Sequence, residues 1–348
     1  MTGSELLQEI ATFWKVDRAH IRWREDGFDW WPGSYVVRVR TFPPRMNHAD
    51  ARWRLTVETE LARSAPIDAE SLADELSYAT PAMTPAYSLV YAPHGSTKDV
   101  SEGASGLKFF NSAYVNSEML SVTRLFARLA LLQVINAELL GDHLAKEFGA
   151  EPAFVGAGRA QERAPVVDVA LSIYLDEGAK PSQWSNVSEF AAFVERYAQS
   201  ESCVGRADKA SMMLETPFGE DTAIVQLRSN QPHEYLGSGL LVTLELPEIA
   251  SGDDAAEEAA LLNNLEASSW TDFPQLGCWH TFETENEVDA LVHSSFVPNA
   301  LYGNLVASNL AMWSLNRAQW VRATRRPDLK DKAMSEIIQQ RLRSGVPH

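Results

Sequence analysis

Apolar residues along the chain switch between two periods, and the switches mark out its elements. Leu6, Ile10, Phe13 and Trp14 recur at helical spacing behind Thr2-x-x-Glu5, the pattern of a capping box, so a one-faced helix is predicted over residues 4–16. From Ile21 the period drops to two. Trp23, the turn-like stretch from Gly27 to Gly33, and then Tyr35, Val37 and Val39 alternating with Val36, Arg38 and Arg40 read as a hairpin. Residues 53–61 alternate apolar and charged, as a strand with one wet face does. A short helix from Asp68 to Tyr78 follows, then strands over 87–91 and 107–115. A long helix carrying Val122, Leu125, Phe126, Leu129, Leu132, Ile135, Leu139 and Leu140 closes a unit of order α-β-β-β-α-β-β-α.

The same order then restarts. Gly149 to Pro165, rich in Ala, Gly, Pro and charge, reads as a linker, and the apolar run Val166 to Leu175 is too short for period alone to type as helix or strand. Asn186-x-x-Glu189 caps a helix with Phe190, Phe193, Val194 and Tyr197 on its stripe. Strands are predicted over 212–214, 223–228 and 236–246, a helix over 254–265, strands over 277–282 and 288–297, and a helix over 301–323. Pro327-Asp328 stops that helix and opens a last one bearing Met334, Ile337, Ile338 and Leu342.

Two passages about 180 residues apart carry the repeat at residue level. Asn111-Ser112-Ala113-Tyr114-Val115 and His293-Ser294-Ser295-Phe296-Val297 each end a strand before an Asn-containing break and a helix, in which Ala130 and Ala137 correspond to Ala311 and Ala318 with one slipped residue. Upstream, Leu55 to Leu61 corresponds to Leu241 to Leu246, and Asp68-Ala69 to Asp254-Ala255. The separation exceeds that of the short-period repeat proteins, so a duplicated domain is predicted rather than a solenoid. The fold class expected is α+β, with two tandem α-β-β-β-α-β-β-α domains, each an antiparallel sheet packed with helices, together a pseudo-dimer. They span residues 1–148 and 185–325, with a linker over 149–184 and a C-terminal helix and tail over 326–348.

This element order resembles that of the type III secretion chaperones and the YbjN-like proteins, and the chain is similar to a tandem fusion of two such units over nearly its whole length. The resemblance rests on topology, size and acidity, without a diagnostic motif. It implies a non-catalytic protein whose sheet and flanking helices hold an extended or amphipathic segment of a partner protein. Chaperones of this kind work as acidic homodimers, so fusion of two copies implies a pseudo-dimer within one chain, monomeric or further assembled. A covalent link raises the effective concentration of one half for the other. The extra C-terminal helix and the middle segment depart from the family pattern.

Charge and composition narrow the partners. With 348 residues, 45% of them hydrophobic, the chain can bury two ordinary cores. A formal charge of −17 opposes phosphate backbones and anionic membrane surfaces, so nucleic acid is excluded as an expected partner. The start MTGSELLQEI lacks a basic n-region and a continuous apolar stretch, and no run approaches the length of a membrane span, so neither a secretory signal nor membrane insertion is expected. Two cysteines, Cys203 and Cys278, form neither a disulfide framework nor a zinc spacing, which fits a reducing cytoplasm.

Enzymatic signatures are absent: there is no Gly-x-Gly-x-x-Gly, Walker loop, His-Glu-x-x-His or Gly-x-Ser-x-Gly elbow. No catalytic residue and no cofactor are expected. One local cluster is Cys278, His280 and His293. If the hairpin pairs Cys278 with His293, three N/S donors meet and leave a fourth zinc position open, although lone Cys and His on half-buried strands are usually packing residues. The candidate partner-binding residues are Trp30, Trp31 and Tyr35, taken as exposed aromatics of the first hairpin. As core they would instead close the end of the sheet, which is where most tryptophans go. Asp26 and Asp29 beside them are turn-forming acids. Two other functions remain open at this point, an enzyme with its site between the halves and a structural or regulatory subunit of a larger assembly.

Overall fold

The computed structural model describes residues 2–14, 20–43, 53–63, 88–92, 106–115, 120–147, 149–153, 204–207, 210–233, 237–247, 253–269, 271, 273–283, 289–299 and 307–325. Helix α1 (Gly3–Phe13) begins as its sequence predicts. Glu5 N donates to Thr2 Oγ1 and Thr2 N donates to Glu5 Oε2, the reciprocal capping box.

A first antiparallel sheet follows, made of β1 (Ile21–Trp23), β2 (Gly27–Trp30), β3 (Val37–Phe42), β4 (Trp53–Arg63), β5 (Ser88–Ala92) and β6 (Gly106–Val115) in the order β1-β2-β3-β4-β6-β5. Helix α2 (Leu120–Glu147) packs on β4 and β6, and α1 packs beside it on β2 and β3. Strand alternation sends Phe28, Trp30, Val37, Val39, Leu55, Val57 and Phe109 to this helical face, where all are buried. Trp14 is the keystone. Its ring stacks on Trp30 at 4.4 Å and meets Phe28 edge-on at 5.7 Å, while its indole N–H donates to Ala127 O on α2 at 2.7 Å.

The opposite face of the same strands carries charge. Asp29 is held by Arg24 and Arg40, Glu60 by Arg38, and Glu58 by Lys108, so opposite charges alternate across four strands. Burial alone would raise the carboxyls of Asp29 and Glu58. The neighbouring cations outweigh it and hold both below the ordinary carboxylate range.

The second antiparallel sheet consists of β8 (Val204–Ala207), β9 (Ser211–Phe218), β10 (Asp221–His233), β11 (Gly237–Glu245), β12 (Cys278–Glu283) and β13 (Asp289–Pro298), in the order β8-β9-β10-β11-β13-β12. Helix α3 (Asp253–Ser268) packs on β12 and β13, and α4 (Ala307–Arg325) lies across β9, β10 and β11. Met212, Leu214, Val225, Leu227, Leu240, Val242 and Leu244 alternate inwards. No described helix is long and apolar enough to cross a membrane.

Each sheet holds one strand more than the sequence reading counts before its middle helix. Gly27-Phe28-Asp29-Trp30 is a strand, not a turn, and the bend lies at Arg24 to Asp26, where Arg24 N donates to Gly27 O. Gly and Asp disfavour strands, which hid it. Glycine is required here because a Cβ at Gly27 would lie 1.9 Å from Val39 O. The short β8, Val204-Gly205-Arg206-Ala207, has no legible alternation at all. At the head of the expected linker, β7 (Glu151–Pro152) pairs with Arg63 and Ala62 of β4, beyond a bulge near Leu61. The helices expected at 68–78, at 190–197 and beyond Pro327, and the run 166–175, lie outside the described residues.

Trp14→Ala removes a fully buried indole that ties α1, α2 and β2 together, with an expected loss of about 3–5 kcal/mol. Denaturant unfolding of the variant checks it, and a loss under about 1 kcal/mol would contradict this packing role.

Candidate functional site

The geometry of the β12–β13 hairpin decides the cysteine and histidine cluster. Trp279 stands opposite His293 and Cys278 opposite Ser294, one residue away from the register that would gather three donors. A one-residue slip turns a side chain to the other face of the sheet. Cys278 and His280 therefore share one face and His293 lies on the other, so the register on which a zinc cluster depended is not the one formed. Among the described residues no group of three His, Cys, Asp or Glu side chains converges to hold a metal.

The two histidines are instead packed singly. His280 places Nε2 at 2.7 Å from Ser294 Oγ and Nδ1 at 3.0 Å from Thr281 O. Burial pushes its pKa down, partly opposed by the Thr281 carbonyl. His293 meets the Trp279 ring edge-on at 5.2 Å. Burial, then the charges of Arg317 and His280, push its pKa well down, so it is neutral.

Around Trp279 lies a polar assembly that sequence reasoning missed. Glu266 on α3 accepts at Oε1 from Trp279 Nε1 at 2.7 Å and from Arg317 Nε on α4 at 2.8 Å. Both ionised side chains are almost wholly buried, at 2% and 3% exposure, and a pair this dry persists only where its remaining hydrogen bonds are met. Arg317 Nη2 donates to Pro274 O at 3.1 Å, and its guanidinium lies over the Phe273 ring at 4.6 Å. Asn263 closes the other side, bonding both the N–H and the carbonyl of Trp279. One signal was present in the sequence. Arg317 interrupts the stripe Leu310, Ser314, Ala318, Val321, and a charge on an apolar stripe requires a buried partner.

This assembly shapes the loop from Phe273 to Gly277, and the loop reaches the first sheet. Gln275 N donates to Ser112 O at 2.7 Å, and Gln275 O accepts from Asn111 Nδ2 at 2.8 Å. Asn111 in turn accepts from Gln133 Nε2, and Gln133 Oε1 accepts from Thr59. Loop 273–277 is thus an added piece of edge for β6 beyond the end of β5. Gly277 takes φ +90°, and a Cβ there would lie 2.1 Å from Ser294 O. Helix α3 reinforces the seam through packing on β5 and through its Ala267 carbonyl, which accepts from Arg54.

The aromatic group expected at a partner surface lies mostly inside. Trp30 and Tyr35 are 1% and 2% exposed, and Trp31 is half-buried. The physical reason is the stack of Trp30 on Trp14 and the docking of the following loop on α2, where Ser34 bonds Glu138 and Tyr35 Oη donates to Asp142 at 3.2 Å. Asp29 is likewise a buried strand residue in an ion-pair ladder, not a turn former.

Large apolar side chains reach solvent on three helices, at Phe13, Leu261 and Met312, and also at the two outer sheet edges. Trp23 on β1 is 47% exposed and Val204 on β8 is 52% exposed. Among the described residues each of these strands pairs on one side only, β1 with β2 and β8 with β9. Arg22 beside Trp23 and Arg206 beside Val204 are exposed too. No family model, curated protein or solved structure matches the chain.

Arg317→Met leaves the buried Glu266 carboxyl without its guanidinium partner, and is expected to cost about 3–5 kcal/mol, while Glu266→Gln with Arg317→Met together should cost clearly less than Arg317→Met alone. Urea unfolding of both variants measures the difference, and a double variant no better than the single one would refute the stranded-charge account. The buried histidines set a pH dependence. Their folded pKa values lie below the unfolded 6.5, so the unfolded chain binds more protons as pH falls. Stability attributable to them is complete above about pH 6.5 and declines as pH drops towards the folded values. His293→Gln should flatten that part of a stability-against-pH curve.

Proposed function

We propose that the chain is a tandem duplication of a secretion-chaperone-like or YbjN-like α+β unit, folded as a pseudo-dimer, and that it works as a non-catalytic protein-binding module. Its ligand is an extended segment of another protein, added as a strand to an outer sheet edge. Several features support the duplication. The order β1-β2-β3-β4-β6-β5 recurs as β8-β9-β10-β11-β13-β12. Ser112 stands opposite Thr56 and Ser294 opposite Thr243, so the passages starting at Asn111 and His293 occupy the same place on corresponding strands. The corresponding strands β5 and β12 also lie next to each other at the seam, as a two-fold arrangement requires.

The observation that carries the binding role is the state of the two outer edges. Each sheet ends on a short strand in the same topological position, bonded on one side among the described residues, presenting a large apolar side chain with an arginine in the same strand. An open edge offers main-chain hydrogen bonds, the exposed Trp23 or Val204 offers an apolar contact, and the adjacent Arg22 or Arg206 favours acidic residues in the segment.

Affinity capture from the native host, run in parallel with wild-type protein and with Trp23→Lys, Val204→Lys, tests this. One dominant polypeptide retained by the wild type and reduced about tenfold or more by the variant is expected, together with slowed amide exchange in β1 or β8 when that polypeptide is added. Equal retention by the two proteins would reject the edge, and no retained polypeptide would reject the binding role.

A further inference from the structure

We propose that the cleft between β13 and α4 is a built site for a single bound water molecule, held by His293 Nε2 and Ser295 Oγ. His293 and Ser295 are two apart on β13, so both face α4. They are 2% and 4% exposed, and among the described residues neither atom has a hydrogen-bond partner. Two such atoms left dry would each carry the full desolvation penalty of an unmade hydrogen bond. Both line one cleft, shared with Val242, Leu310, Ser314 and Arg317 among others, in which the space open to the centre of a water molecule is about 10 Å3. That is about the space one water occupies, and one water can bond both atoms.

The chemistry selects water over an ion. Arg317 disfavours a metal cation, and its own charge is already neutralised by Glu266, so no unpaired cation calls for an anion. His293 is neutral and offers Nε2 as donor or acceptor according to tautomer, and a hydroxyl does the same. A small neutral molecule with both capacities fits.

The first sheet shows how a protein side chain meets the same need. On the duplication reading Asn111 corresponds to His293, and Gln133 on α2, three residues after Ala130, to Ser314, three after Ala311. Gln133 spans the gap, bonding Asn111 at 2.7 Å and Thr59 at 2.8 Å. Ser314 is shorter, and its hydroxyl donates to its own helix at Leu310 O. The space left by the shorter side chain is the water's place. The cleft and its two unpaired atoms stand whether or not the units share an origin.

A high-resolution crystal structure of the full chain at neutral pH tests the site, read together with long-range 15N spectra of His293. A single density peak of one oxygen within about 3.2 Å of both atoms is expected, with a hydrogen-bonded Nε2 shift. In Ser295→Ala the peak should be lost and the Nε2 shift should move, with the backbone unchanged. If that variant does not fold, the wild-type density still decides. An empty cleft with ordered walls, a peak too large for one oxygen, or a protein atom bonded to His293 Nε2 would each overturn the assignment.

Discussion

A buried ion pair holds the loop on which the two sheets meet. Taking a carboxylate and a guanidinium out of water is costly, and the cost is offset only because Glu266 accepts from both Arg317 and Trp279 while Arg317 also reaches the Pro274 carbonyl and the Phe273 ring. Those bonds pin residues 273–277. The pinned main chain then offers Gln275 to Ser112 and Asn111 in the other sheet. Stability within the second unit and the join between the units therefore depend on the same pair.

The two sheets share a strand order but differ in what lies between sheet and helix. In the first, Thr59, Asn111 and Gln133 form a neutral amide chain whose last carbonyl comes from Gln275 of the second. In the second, the corresponding space holds a neutral histidine beside an ion pair. Buried polar groups are tolerated where they are satisfied: the first half meets that condition with protein side chains, and the second leaves His293 Nε2 and Ser295 Oγ to the proposed water. Such asymmetry lets one face of the seam lend a carbonyl that the other face uses.

Edges are the other organising constraint. Unpaired strand edges invite association, and at the seam the edge strands β5 and β12 of the two sheets lie near each other. The outer strands β1 and β8 are short, carry Arg22 and Arg206, and among the described residues pair on one side only. The ladder of paired charges from Asp29 to Lys108 gives the first sheet a face that is polar yet largely neutralised.

Long periodic elements were legible from residue order alone. The capping box at Thr2 and Glu5, the alternation in β4, β6, β9 and β10, and the wide apolar face of α2 follow from local spacing, and so did the recurrence of Asn111 to Val115 as His293 to Val297. The short strands β2 and β8 were not, because Gly and Asp suppress the local signal and a neighbouring strand supplies the stability. Register was not legible either: the side-chain period of two makes Cys278 opposite His293 and Cys278 opposite Ser294 equally readable, and only the loop fixed by Arg317 and Gly277 selects the second. The sequence by itself determined which segments bury a face. Which polar side chains meet inside, Glu266 with Arg317 and Trp279, and which aromatics stay outside, Trp23 rather than Trp30, only the tertiary structure decided, because those contacts join residues far apart in the chain that no local pattern encodes.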